Sequence, residues 1–250
     1  MPAPGSASTA SDQTDPGAAL RRAFGYPYAA PWQSWQFRDG QVEAFDPGRR
    51  NDRIPVLAIG SNRAPEQLAR KYADLPGTLI PVERVFLQDF DVVYAATLAR
   101  YGAVPAMLQH VPGCRVELML TWLTEAQLAR MHATELGAAN YNFARLEQLQ
   151  LETETSEVHT SAFCYIGARG AFADDAAEAY ALQQVPAEGR RLPQADTRAM
   201  LARFARLFDW PGDVESFTLT AIRDESRRRA WVAALAAHAK PFDYPWTALS

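Results

Sequence analysis

Apolar and polar residues alternate with a period of two over much of the stretch from Trp35 to Ile166, and beyond it the apolar spacing lengthens toward that of a helix. Trp35-Gln36-Phe37 and Val42–Phe45, split by Asp39-Gly40, predict a hairpin. Ile54–Ile59 predicts a strand that runs into Gly60-Ser61-Asn62. Val82–Phe86 and Phe90–Ala95 predict strands around Gln88-Asp89, and Val104–Leu108 a short strand before a turn at Val111-Pro112-Gly113. Arg115–Leu123, Tyr141–Leu151 and Val158–Ile166 alternate and complete the series. Two helices interrupt it: Pro65–Tyr72, with proline in its first turn, and a helix to about Glu135 opened by the capping box Thr124-Glu-Ala-Gln127. The rest predicts helices over Ala173–Gln184, Asp196–Phe208 and Asp224–Lys240, the second with Met200, Leu201, Phe204 and Phe208 on one face and the third ended by Pro241. Mostly antiparallel strands followed by helices predict an α+β fold with a small barrel-like sheet flanked by helices.

Composition divides the chain further. Residues 1–20 are small, polar and rich in Pro and Gly, and predict a disordered tail without a secretory signal. Residues 21–53 form an aromatic-rich extension expected to pack on the core. Residues 54–250 are expected to form the main domain with its C-terminal helices. With 250 residues, 48% of them hydrophobic, the chain is long enough for one full core. Its net charge of −4 argues against a nucleic-acid surface, and no basic residue beyond Arg38 interleaves the 24–45 aromatics as base stacking would need. No apolar run is long enough for a membrane-spanning helix. Cys114 and Cys164 fit ordinary cytosolic usage, so a soluble cytoplasmic protein is expected. Lys71 and Lys240 are the only lysines, and the arginine excess reads as compositional bias.

Candidate chemistry is sparse. The turn Gly60-Ser61-Asn62, between strand and helix, gathers backbone N–H groups as a nest for a carboxylate or phosphate would, though ordinary turns have the same composition. Leu128, Met131 and Glu135 share one helix face, so Glu135 is expected either against the core or swung toward solvent or Arg145. In the first case burial and the helix C-terminus both favour its neutral form, the setting of a proton shuttle. His110, His132, His159 and His238 show no metal-ligand spacing, and Ser61 lacks the frame and histidine partner of a nucleophile. Tyr141 and Tyr180 are expected either to present a hydroxyl to a ligand or to pack as core tyrosines.

These features occur in an order that resembles the gamma-glutamylcyclotransferase-like family: the Gly-Ser-Asn turn, Leu87-Gln88-Asp89-Phe90, Gly102–Met107, Pro112-Gly113, the capped helix ending in Glu135, Tyr141, and Tyr180 ahead of Leu192-Pro193. The resemblance covers about residues 54–208 and implies a small β-barrel flanked by helices. It further implies that Gly60, Ser61 and Asn62 bind a γ-glutamyl moiety and that Glu135 is the acid and base that closes 5-oxoproline, with no metal or cofactor. Tyr141 and Tyr180 would contact the small-molecule substrate. Ile59, Arg63 and Leu136 depart from the family pattern, and a non-catalytic member binding a carboxylated metabolite or a protein partner is the alternative.

Overall fold

The computed structural model describes residues 15–136 and 141–249. Of the expected tail, residues 1–14 lie outside the described residues, while the chain becomes helical at Pro16. The Asp15 carboxylate accepts from the Gly17 N–H, Pro16 occupies the first turn, and α1 (Pro16–Phe24) buries Ala19 and Ala23. The hairpin of β1 (Trp35–Arg38) and β2 (Gln41–Ala44) turns at Asp39 and Gly40, both with positive φ, the pairing that matches the right-handed twist of two strands. Trp35 and Phe37 are buried, and β1 pairs with the first residues of a long strand, β4 (Leu79–Tyr94).

The body is a closed five-stranded mixed barrel. β5 (Ala106–Leu123) pairs with β3 (Ile54–Ala58), which pairs with β7 (Val158–Gly167), then β6 (Tyr141–Thr153), then β4, which pairs back to β5. The β3–β7 pairing is parallel and the others antiparallel. Closure leaves these strands without a free edge at the seam. The two turns expected at Gln88-Asp89 and Val111-Pro112-Gly113 are instead irregularities within continuous strands. Asp89 takes positive φ where the β4–β5 register shifts, opposite extra residues of β5, and its carboxylate accepts from the Gly113 N–H of β5 at 2.7 Å. Two turn-forming sequences lie opposite each other and satisfy each other across the ladder.

Alternation along β3 sends its side chains to opposite layers. Leu57 enters the barrel core with Val85, Leu87, Leu118, Leu120 and Leu146. Val56 and Ala58 face a second layer, where α2 (Pro65–Tyr72) and α3 (Glu125–Glu135) pack through Leu68, Tyr72, Leu128 and Met131. Leu68 is fully buried, and a leucine so placed contributes about 1.5–3 kcal/mol. The Tyr72 hydroxyl donates to the Gln127 carbonyl at 2.9 Å, and Arg130 Nε to the Lys71 carbonyl at 2.7 Å, fixing the second helix against the first.

The C-terminal region differs from expectation in three places. Ala173–Gln184 is not a helix: Asp174 Oδ1 accepts from the Ala176 and Ala177 N–H groups and the Tyr180 hydroxyl, and this local bonding displaces the helical ladder that the alanines favour. The segment from Ala179 to Leu182 is buried and its backbone joins the sheet. The third expected helix is shorter: α6 (Glu225–Ala234) tightens into a 3₁₀ turn at Leu235–His238, and Ala239–Lys240 pairs with Ala171–Phe172. Between α4 (Thr197–Leu207) and α6 lies α5 (Val214–Arg223), unanticipated, with Asp213 accepting from the Ser216 N–H and Phe217 and Ala221 buried. None of the described helices is long and apolar enough to cross a membrane.

Candidate active site

β3 ends at Ala58 and delivers Ile59 and Gly60, which follow it, to the rim of the barrel, and the chain then turns through a 3₁₀ segment, Ser61–Arg63, into α2. Glycine at 60 has a steric reason: the Tyr26 hydroxyl occupies the space a Cβ would need. That hydroxyl is buried and accepts from the Ala106 N–H at 2.8 Å. Burial pushes its pKa well above the tyrosine range, so it remains a protonated donor, and its proton meets no acceptor among the described residues. Nor do the N–H groups of Gly60, Ser61 and Asn62 meet an acceptor among them.

Glu135, the last residue of α3, turns inward. Its side chain is 16% exposed, and Oε1 accepts from Asn62 Nδ2 at 3.1 Å and from the ammonium of Lys71. Oε2 has no partner among the described residues. Arg145 pairs with Glu147 instead. Lys71, on α2, is 4% exposed, and Nζ also lies 3.1 Å from Met131 Sδ. Because Asn62 must present its NH₂ to the carboxylate, its Oδ1 is fixed on the other side, buried and without a partner.

These groups share one cavity of about 260 Å³, lined by Gly60, Ser61, Asn62, Lys71, Glu135 and Tyr141, with Tyr26, Tyr101, Tyr165 and the exposed Arg100 completing its wall. Burial raises the hydroxyls of Tyr101, Tyr141 and Tyr165 well beyond the usual tyrosine range, so all three are neutral donors. Tyr165 Oη is 2.8 Å from His132 Nδ1, and burial lowers the pKa of that imidazole and favours its neutral form. His132 therefore engages Tyr165 rather than Glu135.

The structure thus brings together Gly60, Ser61, Asn62, Glu135 and Tyr141. Tyr180 is not with them: its hydroxyl donates to Asp174 at 2.6 Å and the Arg203 guanidinium covers its ring at 4.3 Å, both away from the cavity wall. Of the departures from the family pattern, Ile59 lines the cavity and joins the barrel core. Arg63 turns away from the cavity, buried beneath Trp32 at 4.3 Å with one bond to the Gln184 carbonyl. Leu136 packs on the helix layer. Lys71, Tyr26, Arg100, Tyr101 and Tyr165 were not anticipated as site residues. Lys71 alone carried a signal, as one of two lysines in a chain that otherwise uses arginine. Among the described residues no group of His, Cys, Asp and Glu side chains is placed to hold a metal ion.

No family model matches this chain, and no curated protein matches it. Among solved structures it is similar to a gamma-glutamyl cyclotransferase, with 14% identity over 76% of this chain and 90% of that one, at a TM-score of 0.38. It is also similar to the uncharacterized human protein loc79017, with 12% identity over 78% of this chain and 92% of that one, at a TM-score of 0.39.

Proposed function

We propose that this protein is a gamma-glutamylcyclotransferase-like enzyme that cyclises a small γ-glutamyl amine or peptide to 5-oxoproline and releases the amine. The observation that carries this reading is the bridge from Asn62 Nδ2 to Glu135 Oε1, which ties the Gly60–Asn62 loop to a proton-carrying group on one cavity.

The chemistry asks little of a protein. In a γ-glutamyl amide the α-amino group and the side-chain carbonyl already belong to one molecule, so the site has to select the folded rotamer and move protons. The unspent N–H groups of the loop, with Arg100, suit the α-carboxylate. Because Asn62 bonds Glu135, an α-carboxylate held at the loop brings the α-amino nitrogen toward Glu135 Oε2, which has no partner among the described residues. The Tyr26 proton and the loop amides suit the oxygen on which charge develops as the ring closes. A cavity of about 260 Å³ lies just below the roughly 300–1,000 Å³ of drug-sized pockets, the scale of a glutamyl group with a short amine.

Purified protein incubated with a panel of γ-glutamyl amines, amino acids and dipeptides is expected to release 5-oxoproline. Glu135→Gln, which keeps shape and loses the basic oxygen, is expected to stop it. Release unaffected by that change would remove Glu135 from the reaction. No 5-oxoproline from any substrate would overturn the reading, and binding without turnover in a thermal-shift screen would then favour a non-catalytic binder of carboxylated metabolites.

A further inference from the structure

Lys71 is buried in the cavity wall in direct contact with the carboxylate that the cyclotransferase reading makes the base. A buried ammonium has three protons to place. One goes to Glu135 Oε1, one faces the weak acceptor Met131 Sδ at 3.1 Å, and the third meets no acceptor among the described residues. The backbone fixes the lysine's place: Leu68 and Tyr72 anchor α2 on either side of it, and Arg130 holds its carbonyl. An ammonium kept solely to balance a buried carboxylate would be expected to spend its protons on protein acceptors. This one retains a donor beside the cavity.

We propose that Lys71 is the acid of the reaction, with Glu135 as its base, and that their contact resets the pair after each turnover. This rests on the cyclotransferase reading above. The neutral α-amine attacks the γ-carbonyl carbon, a C–N bond forms, and the carbonyl pair moves to oxygen. Glu135 takes one proton from the attacking nitrogen. The oxygen pair returns, the bond to the departing nitrogen breaks, and that nitrogen takes a proton from the Lys71 ammonium. The products are 5-oxoproline and the free amine. The protein is left with a neutral carboxyl touching a neutral amine, and one proton passing from Glu135 to Lys71 restores the ion pair. No other reactant enters. A single carboxyl would have to travel between the attacking and leaving nitrogens, whereas two groups in contact have one for each.

The test separates this role from electrostatic or structural ones through the leaving group. The γ-glutamyl amide of ethylamine and the γ-glutamyl ester of trifluoroethanol have similar size, but the alkylamine can leave only after taking a proton, whereas trifluoroethanol can depart as its alkoxide with little need of one. Lys71→Arg keeps the charge but cannot give the proton up. Its kcat on the ethylamide is expected to fall by about 10²–10⁴-fold, the usual worth of a positioned acid, with KM nearly unchanged and a much smaller loss on the trifluoroethyl ester, measured above its uncatalysed cyclisation. Lys71→Met, unbranched and of similar length, is expected to show the same contrast and keeps the test open if the arginine variant does not fold. Equal losses on both substrates, or no loss, would overturn the acid role and leave the cyclotransferase reading standing. If the unaltered protein releases 5-oxoproline from neither substrate nor from any member of the wider panel, that reading fails and this proposal fails with it.

Discussion

Two acid–base pairs lie close to the barrel, and they are bonded very differently. Asp91 and Arg190 are buried and fully engaged. Arg190 grips both carboxylate oxygens, at 2.8 and 2.7 Å, and also donates to the Val185 carbonyl and to Gln194, while the Val92 N–H donates to Asp91. Glu135 and Lys71 meet through one oxygen only, leaving the other oxygen and one ammonium proton beside a cavity. The first pair has spent its polar capacity on the fold. The second has kept some, and unspent capacity next to space is what a reaction needs.

The largest expected effect bears on the second pair. Glu135→Gln is predicted to lower kcat for 5-oxoproline formation by about 10²–10⁴-fold, measured by product release, with only a modest fall in melting temperature. The lysine left unpaired borders the cavity, where water can solvate it. If the variant unfolds while the little that stays folded turns over normally, the contrast between the pairs is wrong.

Asp91→Asn is predicted to do the reverse. It leaves the Arg190 guanidinium, at 5% side-chain exposure, without the carboxylate that both of its arms engage. Removing one partner of such a pair typically costs about 3–5 kcal/mol, which for a chain of this size lowers the melting temperature by roughly 10 °C. The kcat of the folded fraction is expected to be unchanged. A melting temperature within a degree of the parent would show that the pair contributes little.

Tyr26→Phe sits between the two pairs in character, because its hydroxyl serves both fold and cavity. Its loss strands the buried Ala106 N–H, at a cost of about 1–3 kcal/mol in chemical denaturation, and removes a donor from the wall. A fall in kcat/KM of roughly tenfold, beyond the stability loss, is expected if that donor meets the substrate. Stability loss with unchanged kinetics would assign the hydroxyl to the fold alone.

What was legible in the sequence follows the range of the interactions involved. The Asp39-Gly40 hairpin, the capping box at Thr124 and the alternation of β6 are local, and local chemistry writes them plainly. Asp89 and Gly113 read as turns because their mutual bond spans 24 positions and appears only once the strands pair. Asp174 undoes the expected helix over 173–184 by bonds to its own neighbours and to Arg203. Within the site, Gly60-Ser61-Asn62 and Glu135 stood out by motif and helix face. Lys71 and Tyr26 did not, since one reaches the site through the packing of α2 on α3 and the other through an N-terminal segment folded across the barrel rim.

Tyr180→Phe carries the smallest effect and marks the outer boundary of the site. The hydroxyl's partner, Asp174, sits among opposing influences: burial raises its pKa, but hydrogen bonds from Tyr180, the Ala176 N–H and Arg203 outweigh this and leave it below the usual aspartate range. A carboxyl lowered on folding stabilises the protein above its unfolded pKa, and that contribution disappears as pH falls through the folded value. Removing the hydroxyl is therefore predicted to cost about 0.5–1.5 kcal/mol at neutral pH, and the difference from the parent is expected to shrink in acid as Asp174 protonates. Denaturation at a series of pH values measures this, and kcat/KM on any γ-glutamyl substrate is expected to stay at the parent value. A kinetic defect without the stability loss would return Tyr180 to the substrate. It would also mean that the cavity extends past the Asp174–Arg203 pair, so that a fully bonded cluster could not be taken to lie outside the reacting space.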